Sequence, residues 1–250
     1  MKRILIIFSF FLYFSLSLFA KGDFFKQAND YYAKGEYENA AKTYELILAN
    51  QGVAPELYYN LGNAYYKLGE ISKSILNYER ALRLNPNYDD ARINNELAQQ
   101  KIIDNIVQVP PFFIMRWFDL FIKFLSSNQW FILSVGLFLA SMILVLLFVF
   151  GNSVQFRKIS FYFALILFAV SMSSLLFSGI RNKQLKTEKE AIIMSGIITV
   201  KSSPDKSGTD LFQLHEGTKV KIKSELGKWC EIKIGNGSIG WVENENIEKI

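Results

Sequence analysis

Two apolar runs limit what this chain can become. Trp130–Phe150 and Ile159–Phe177 are 21 and 19 residues long and carry no charge. At a helical rise of about 1.5 Å per residue, each reaches across a hydrocarbon core of about 30 Å. A buried helix of this length in a soluble protein would show a polar stripe, and these show only scattered Ser. The segment between them, Gly151–Lys158, is too short for a domain and carries Arg157 and Lys158. The runs therefore read as transmembrane helices 130–150 and 159–177, paired in a hairpin that returns the chain to the side it left.

A third apolar run, Ile4–Ala20, comes directly after Lys2-Arg3. Residues 1–20 read as a signal peptide or an uncleaved N-terminal anchor, and both versions export the chain from Lys21 onward. Counting crossings then places Arg157 and Lys158 inside and both flanking segments outside. This suits the positive-inside bias, although Arg181, Lys183 and Lys186 oppose it. Residues 112–127 come after the Pro110-Pro111 break and are apolar almost all round. Arg116, Asp119 and Lys123 share one helical stripe, which fits either an amphipathic helix in the membrane interface or one packed on the preceding domain.

The net charge of +5 comes from these flanks. Lys21–Asp104 holds 10 basic and 12 acidic residues, and Lys186–Lys249 holds 10 of each. Neither segment supplies the clustered basic face that a nucleic-acid reader needs. The single cysteine, Cys230, excludes an internal disulfide framework and a cysteine-based zinc site.

Between the export segment and the hairpin, the chain repeats itself with a period of 34 residues. Tyr31-Tyr32 returns as Tyr65-Tyr66, Gly35-Glu36 as Gly69-Glu70, and Tyr44-Glu45 as Tyr78-Glu79. The second copy, with Tyr58, Leu61, Gly62, Tyr65, Ser74, Tyr78, Ala81 and Pro86, resembles the tetratricopeptide repeat. Residues 21–108 then divide into repeats 21–54 and 55–88 and a capping helix 89–105. Small Ala28 and Gly62 let paired helices approach, and Gly35 and Gly69 stop the first helix of each pair. Fewer than three repeats fall below the usual minimum. The array is therefore expected to lean on the membrane helix, a second copy or a partner.

Equivalent first-helix positions read Lys26, Asn29, Ala33; Asn60, Asn63, Lys67; and Asn94, Leu97, Lys101. Asn is a poor residue for a helix interior, so its recurrence on one stripe points to a task. Amides and ammonium groups suit a peptide backbone and a carboxylate, and the resemblance puts peptide ligands on this stripe. A solvated polar face fits the same residues.

From residue 190 the pattern turns to alternation, with Val220 and Ile222 opposite Lys219, Lys221 and Lys223. Asn236-Gly237 and Glu225–Gly227 supply turns. The stretch resembles bacterial SH3 domains through Val200, Pro204, Gly217-Thr218, Val220, Lys228–Ile232, Gly237 and Gly240–Val242, which implies a small all-β barrel over 190–250. Trp229 and Trp241 are the candidate ligand surface, Trp229 having the alternative of roofing the core. Cys230 and His215 are the only residues resembling a nucleophile and base, and alternation buries Cys230. No phosphate loop or metal cluster appears, so no enzyme and no cofactor are expected.

The fold class is thus a multi-domain membrane protein: a helical repeat solenoid, two transmembrane helices and an SH3-like barrel. This order of modules resembles the BatE-type proteins of the Bacteroides aerotolerance operon. The resemblance implies a scaffold in the inner membrane with both soluble domains in the periplasm. Its implied partners are other Bat-type membrane proteins and an associated MoxR-type ATPase, in a complex that maintains the envelope under stress. Contact with the cell wall through the SH3-like domain is the alternative.

Overall fold

The computed structural model describes residues 24–104, 106, 112–187 and 189–250. The export segment 1–20 and the Pro110-Pro111 break lie outside them. Two compact units result. The described residues of 1–108 and 190–250 form one, and those of 109–189 form the other.

The first unit begins with five helices: α1 over residues 24–33, then α2 (Tyr37–Gln51), α3 (Pro55–Leu68), α4 (Ile71–Leu84) and α5 (Asp89–Gln99). Gly35 and Gly69 end α1 and α3 with φ of +80° and +81°, a region where glycine avoids the Cβ clash. Pro55 opens α3, where a missing N–H is harmless. The helices of the second repeat approach so closely that a Cβ at Gly62 would stand 2.7 Å from the Tyr78 ring. Tyr44 and Tyr78, 34 residues apart, are equivalent core residues and both are buried.

The same unit ends in seven antiparallel strands: β1 (Glu190–Ile193), β2 (Ile197–Lys201), β3 (Asp210–His215), β4 (Lys219–Leu226), β5 (Trp229–Lys233), β6 (Ile239–Glu243) and β7 (Ile247–Lys249). They form one sheet in the order β3-β2-β6-β5-β4-β1-β7. Its core joins Ala191, Val200, Val220, Cys230, Ile232 and Val242. The expected barrel does not close, because β3 and β7 remain edges. The repeat module takes edge groups that closure would have paired. Arg80 donates to the Lys249 carbonyl at 2.7 Å and Arg83 to the Ile250 carbonyl at 2.9 Å. On the other edge the His215 N–H donates to the Asp104 carboxylate at 2.7 Å. Each edge thus has one backbone group bonded by the repeat module.

Repeats and sheet also share a hydrophobic cluster. Ile192 of β1 is fully buried with Ile75, Leu76, Tyr78 and Ala98. Lys219 Nζ lies 2.8 Å from both Glu79 of α4 and Glu190 of β1. Ser72 donates to Glu216 at 2.9 Å. The short array is therefore completed by the β module of its own chain.

The second unit contains α6 (Phe113–Lys123), α7 (Ser127–Phe150) and α8 (Val154–Thr187). Both α7 and α8 are long and apolar enough to cross a membrane. The connection is shorter than expected, only residues 151–153. The Ser153 hydroxyl accepts the Phe156 N–H at 3.2 Å, so α8 starts at Val154 and holds Arg157 and Lys158 in its first two turns. Arg157 folds back to the Phe148 carbonyl at 3.0 Å.

The serines are not scattered. Ser127, Ser134 and Ser141 recur every seven residues along α7, opposite Ser178, Ser171 and Ala164 of α8. Ser127 and Ser178 each donate to the other's carbonyl, at 3.0 and 2.9 Å. Ser171 donates to the Ser134 carbonyl, and Ser141 to the Ala164 carbonyl, both at 2.9 Å. Small hydroxylated residues inside and large apolar ones outside are the arrangement that helices adopt in lipid. The period of 3.5 residues keeps this seam facing its partner along the whole pair.

Gly217 tests the junction between repeats and sheet. Its φ is +85°, and an added Cβ would lie 2.8 Å from Ile102 Cγ2. At Gly227, with φ +59°, a Cβ would meet open space. Gly217→Ala is expected to destabilise the full chain by about 2–4 kcal/mol in detergent denaturation, and Gly227→Ala by only about 1–2.

Candidate functional site

The repeat stripe is held by hydrogen bonds that recur with the 34-residue period. Tyr44 donates its hydroxyl to Asn29 Oδ1 at 2.6 Å, and Asn60 Nδ2 donates to the same oxygen at 3.3 Å. One repeat later Tyr78 donates to Asn63 Oδ1 at 2.6 Å and Asn94 Nδ2 donates to it at 2.8 Å. Burial, with a lesser effect from Tyr32, pushes the Tyr44 hydroxyl up to about 12 despite the Asn60 side chain, and burial also raises Tyr78. The phenol O–H donates at neutral pH, so the oxygens of Asn29 and Asn63 face it. Asn29 and Asn63 spend their oxygens and keep their NH2 groups. Asn60 and Asn94 spend their NH2 groups and keep their oxygens. Each pair thus leaves one donor and one acceptor, the complement of a peptide group.

Asn63, Lys67 and Asn94 come together in a pocket of about 260 Å³ with Tyr32, Tyr59, Tyr66, Tyr78 and Leu97. Lys101 sits with its ammonium 4.2 Å from the Tyr66 ring centroid. Asn29 and Asn60 form the preceding pair outside this pocket, and Lys26 stands exposed on α1 without joining it. The aromatic walls were not expected. Their signal was in the doubled tyrosines: neighbours on a helix point about 100° apart, so Tyr65 enters the core and Tyr66 the groove.

On the sheet, Trp229 pairs with Glu243 and Glu231 with Trp241, so both tryptophans share the face opposite Cys230 and Ile232. Trp229 lines an open cleft of about 410 Å³ with Lys206, Lys228, Glu243 and Asn244. Trp241 does not line it. The core is flanked by Ile106, Phe212 and Ile247.

Cys230 is fully buried, and the His215 ring is committed elsewhere, its Nδ1 lying 2.7 Å from Asp104 Oδ1. Asp104 was missed in the sequence, because nothing local marks it. Its carboxylate accepts the His215 N–H and the Thr218 hydroxyl, each at 2.7 Å. Burial alone would raise its pKa. The hydrogen bonds from the His215 backbone, the Thr218 hydroxyl and the His215 ring outweigh burial and hold the carboxyl below its usual range. Among the described residues, no three His, Cys, Asp or Glu side chains gather as a metal site.

Two families answer to these features. The tetratricopeptide-repeat model matches residues 55–88, and the bacterial SH3 domain model matches residues 196–248. No curated protein matches the chain. Tetratricopeptide repeats are modules of protein–protein interaction, and bacterial SH3 domains bind proteins or peptidoglycan.

A carboxyl held below its ordinary pKa stabilises the fold above that ordinary value, and the benefit fades as the pH falls through the lowered one. Asp104→Asn is expected to cost about 2–4 kcal/mol at neutral pH. In thermal unfolding at stepped pH, the gap to wild type should begin to narrow as the pH falls through the usual carboxylate value of about 4 and should close only below it.

Proposed function

We propose that this protein is a membrane-anchored scaffold. Its repeat groove grips an extended segment of a partner protein, and its SH3 module stands on the same side of the membrane. One observation carries the reading. The residues before and after the hairpin form one packed unit, so a chain that enters the bilayer at α7 has to come back out at α8. Lys2-Arg3 and Arg157-Lys158 favour a cytoplasmic hairpin tip, which puts the packed unit outside the inner membrane, in the periplasm. The resemblance to BatE-type proteins supports partners among Bat-type membrane proteins and a role in aerotolerance or envelope stress.

The groove's chemistry narrows the ligand. Asn63 offers an amide donor and Asn94 an acceptor to a peptide backbone. Lys67 and Lys101 offer charge to a carboxylate, and no acidic residue lines the pocket. Lys67→Glu with Lys101→Glu changes two exposed ammonium groups and leaves the Asn–Tyr bonds untouched. We expect recovery of the partner protein with the affinity-tagged full chain to fall at least about tenfold, on the order of one lost charge-assisted contact. Hairpin insertion should not change. Undiminished recovery would remove the groove from the account.

Trp229 in its open cleft supports a second reading, in which the SH3 module contacts the cell wall. Binding of the full chain to purified sacculi, lost on Trp229→Ala, is its expected signature.

A further inference from the structure

We infer that α6 is an outrigger of the hairpin that lies in the lipid interface. The inference rests on the membrane reading of α7 and α8. Seven of the eleven residues of α6 are large apolar side chains more than half exposed, and Trp117 reaches 77%. An isolated helix of this length is marginal in water, and α6 is held in place. Trp130 of α7 donates its indole N–H to the Ile122 carbonyl at 2.9 Å, and Ile122 is buried beneath it. Phe121 packs on Trp130 and Phe177, with ring centroids 5.6 and 5.4 Å apart, and Phe118 meets Phe177 at 6.3 Å. Asp119 pairs with Lys123 at 2.7 Å and accepts from Gln184 of α8 at 3.4 Å. The Ser126–Gln129 capping box then starts α7 directly.

These contacts fix α6 to the end of the hairpin where α7 begins and α8 finishes. The exposed apolar residues flank the charged stripe on both sides and run nearly round the helix. A flat protein surface covers one side of such a helix. Lipid covers every side that the hairpin leaves open, and the apolar surface of α6 continues onto that of α7. Arg116, Asp119 and Lys123 then sit at the level of the headgroups, and Trp117 lies among the upper acyl chains.

The test uses the full chain in phosphatidylethanolamine–phosphatidylglycerol vesicles, with nitroxide labels placed singly at Trp117→Cys, Met115→Cys and Ile143→Cys. Cys230 is fully buried and stays unlabelled. Collision with oxygen and with a water-soluble nickel chelate reports depth. Labels at 117 and 115 are expected to favour oxygen several-fold over nickel, at a shallow depth, and the label at 143 to lie deeper. Nickel access at 117 and 115 with 143 still deep would overturn the outrigger and leave the hairpin standing. Shielding of 117 and 115 from both reagents would put protein, or a second copy, where lipid is proposed. Nickel access at 143 would refute the membrane reading itself.

Discussion

Burial of one β1 side chain, Ile192, among residues of α4 and α5 joins two halves that are each incomplete. The repeat array has too few units to bury its own end. The sheet has two edges that never meet. Full burial of an isoleucine contributes about 1.5–3 kcal/mol, and the surrounding polar contacts act mainly to fix register. Arg80 covers the Lys249 carbonyl of β7 and Arg83 the Ile250 oxygen just after it, Asp104 covers an N–H of β3, and Lys219 sits between two carboxylates. Because one module precedes the hairpin and the other comes after it, this junction constrains topology as well as stability. In the membrane reading proposed above, the packed junction keeps the two modules in one compartment.

The hairpin solves the opposite problem with the same rules. In the first unit, apolar residues face inward and charged side chains reach the edge strands. In the hairpin, Ser134, Ser141 and Ser171 face inward, and Phe, Leu and Ile face outward. Ser127, Ser141, Ser171 and Ser178 each donate to a carbonyl of the neighbouring helix, and Ser134 meets the Ser171 hydroxyl at 3.4 Å. The Asn–Tyr relay of the groove shows a related economy. The Asn29 and Asn63 oxygens are each saturated by two donors, and the groups left over are the ones available to a ligand.

What could be read in the sequence was what repeats or alternates. The 34-residue period located the helix pairs, the stops at Gly35 and Gly69, and the Asn stripe. The turn at Asn236-Gly237 and the alternation around Cys230 gave the strands and the buried thiol. Contacts between distant segments were out of reach. Asp104 looks like any loop aspartate until His215 and Thr218 are beside it. The alternation implies a barrel, and the sheet stays open with Arg80 bonded at its β7 edge and Asp104 at its β3 edge, contacts between distant segments that no local pattern shows. The serine period of seven was visible and overlooked, since Ser in an apolar run looks incidental when only one helix is considered. The hairpin turn is shorter than the gap between the uncharged runs, because Arg157 and Lys158 lie in the opening turns of α8.

The junction can be probed most directly in the membrane-bound full chain, with cysteines at Arg80 and Glu248, whose side chains touch at 2.9 Å. A short thiol cross-linker should join these positions within one chain, with mass spectrometry recovering a linked peptide that carries residues from both sides of the hairpin. A matching pair at Lys201 and Asp210, both inside the sheet, reports that the reagent works. If the sheet pair links while 80 and 248 never do, the two modules are not one unit, and the shared compartment argued from them has no basis.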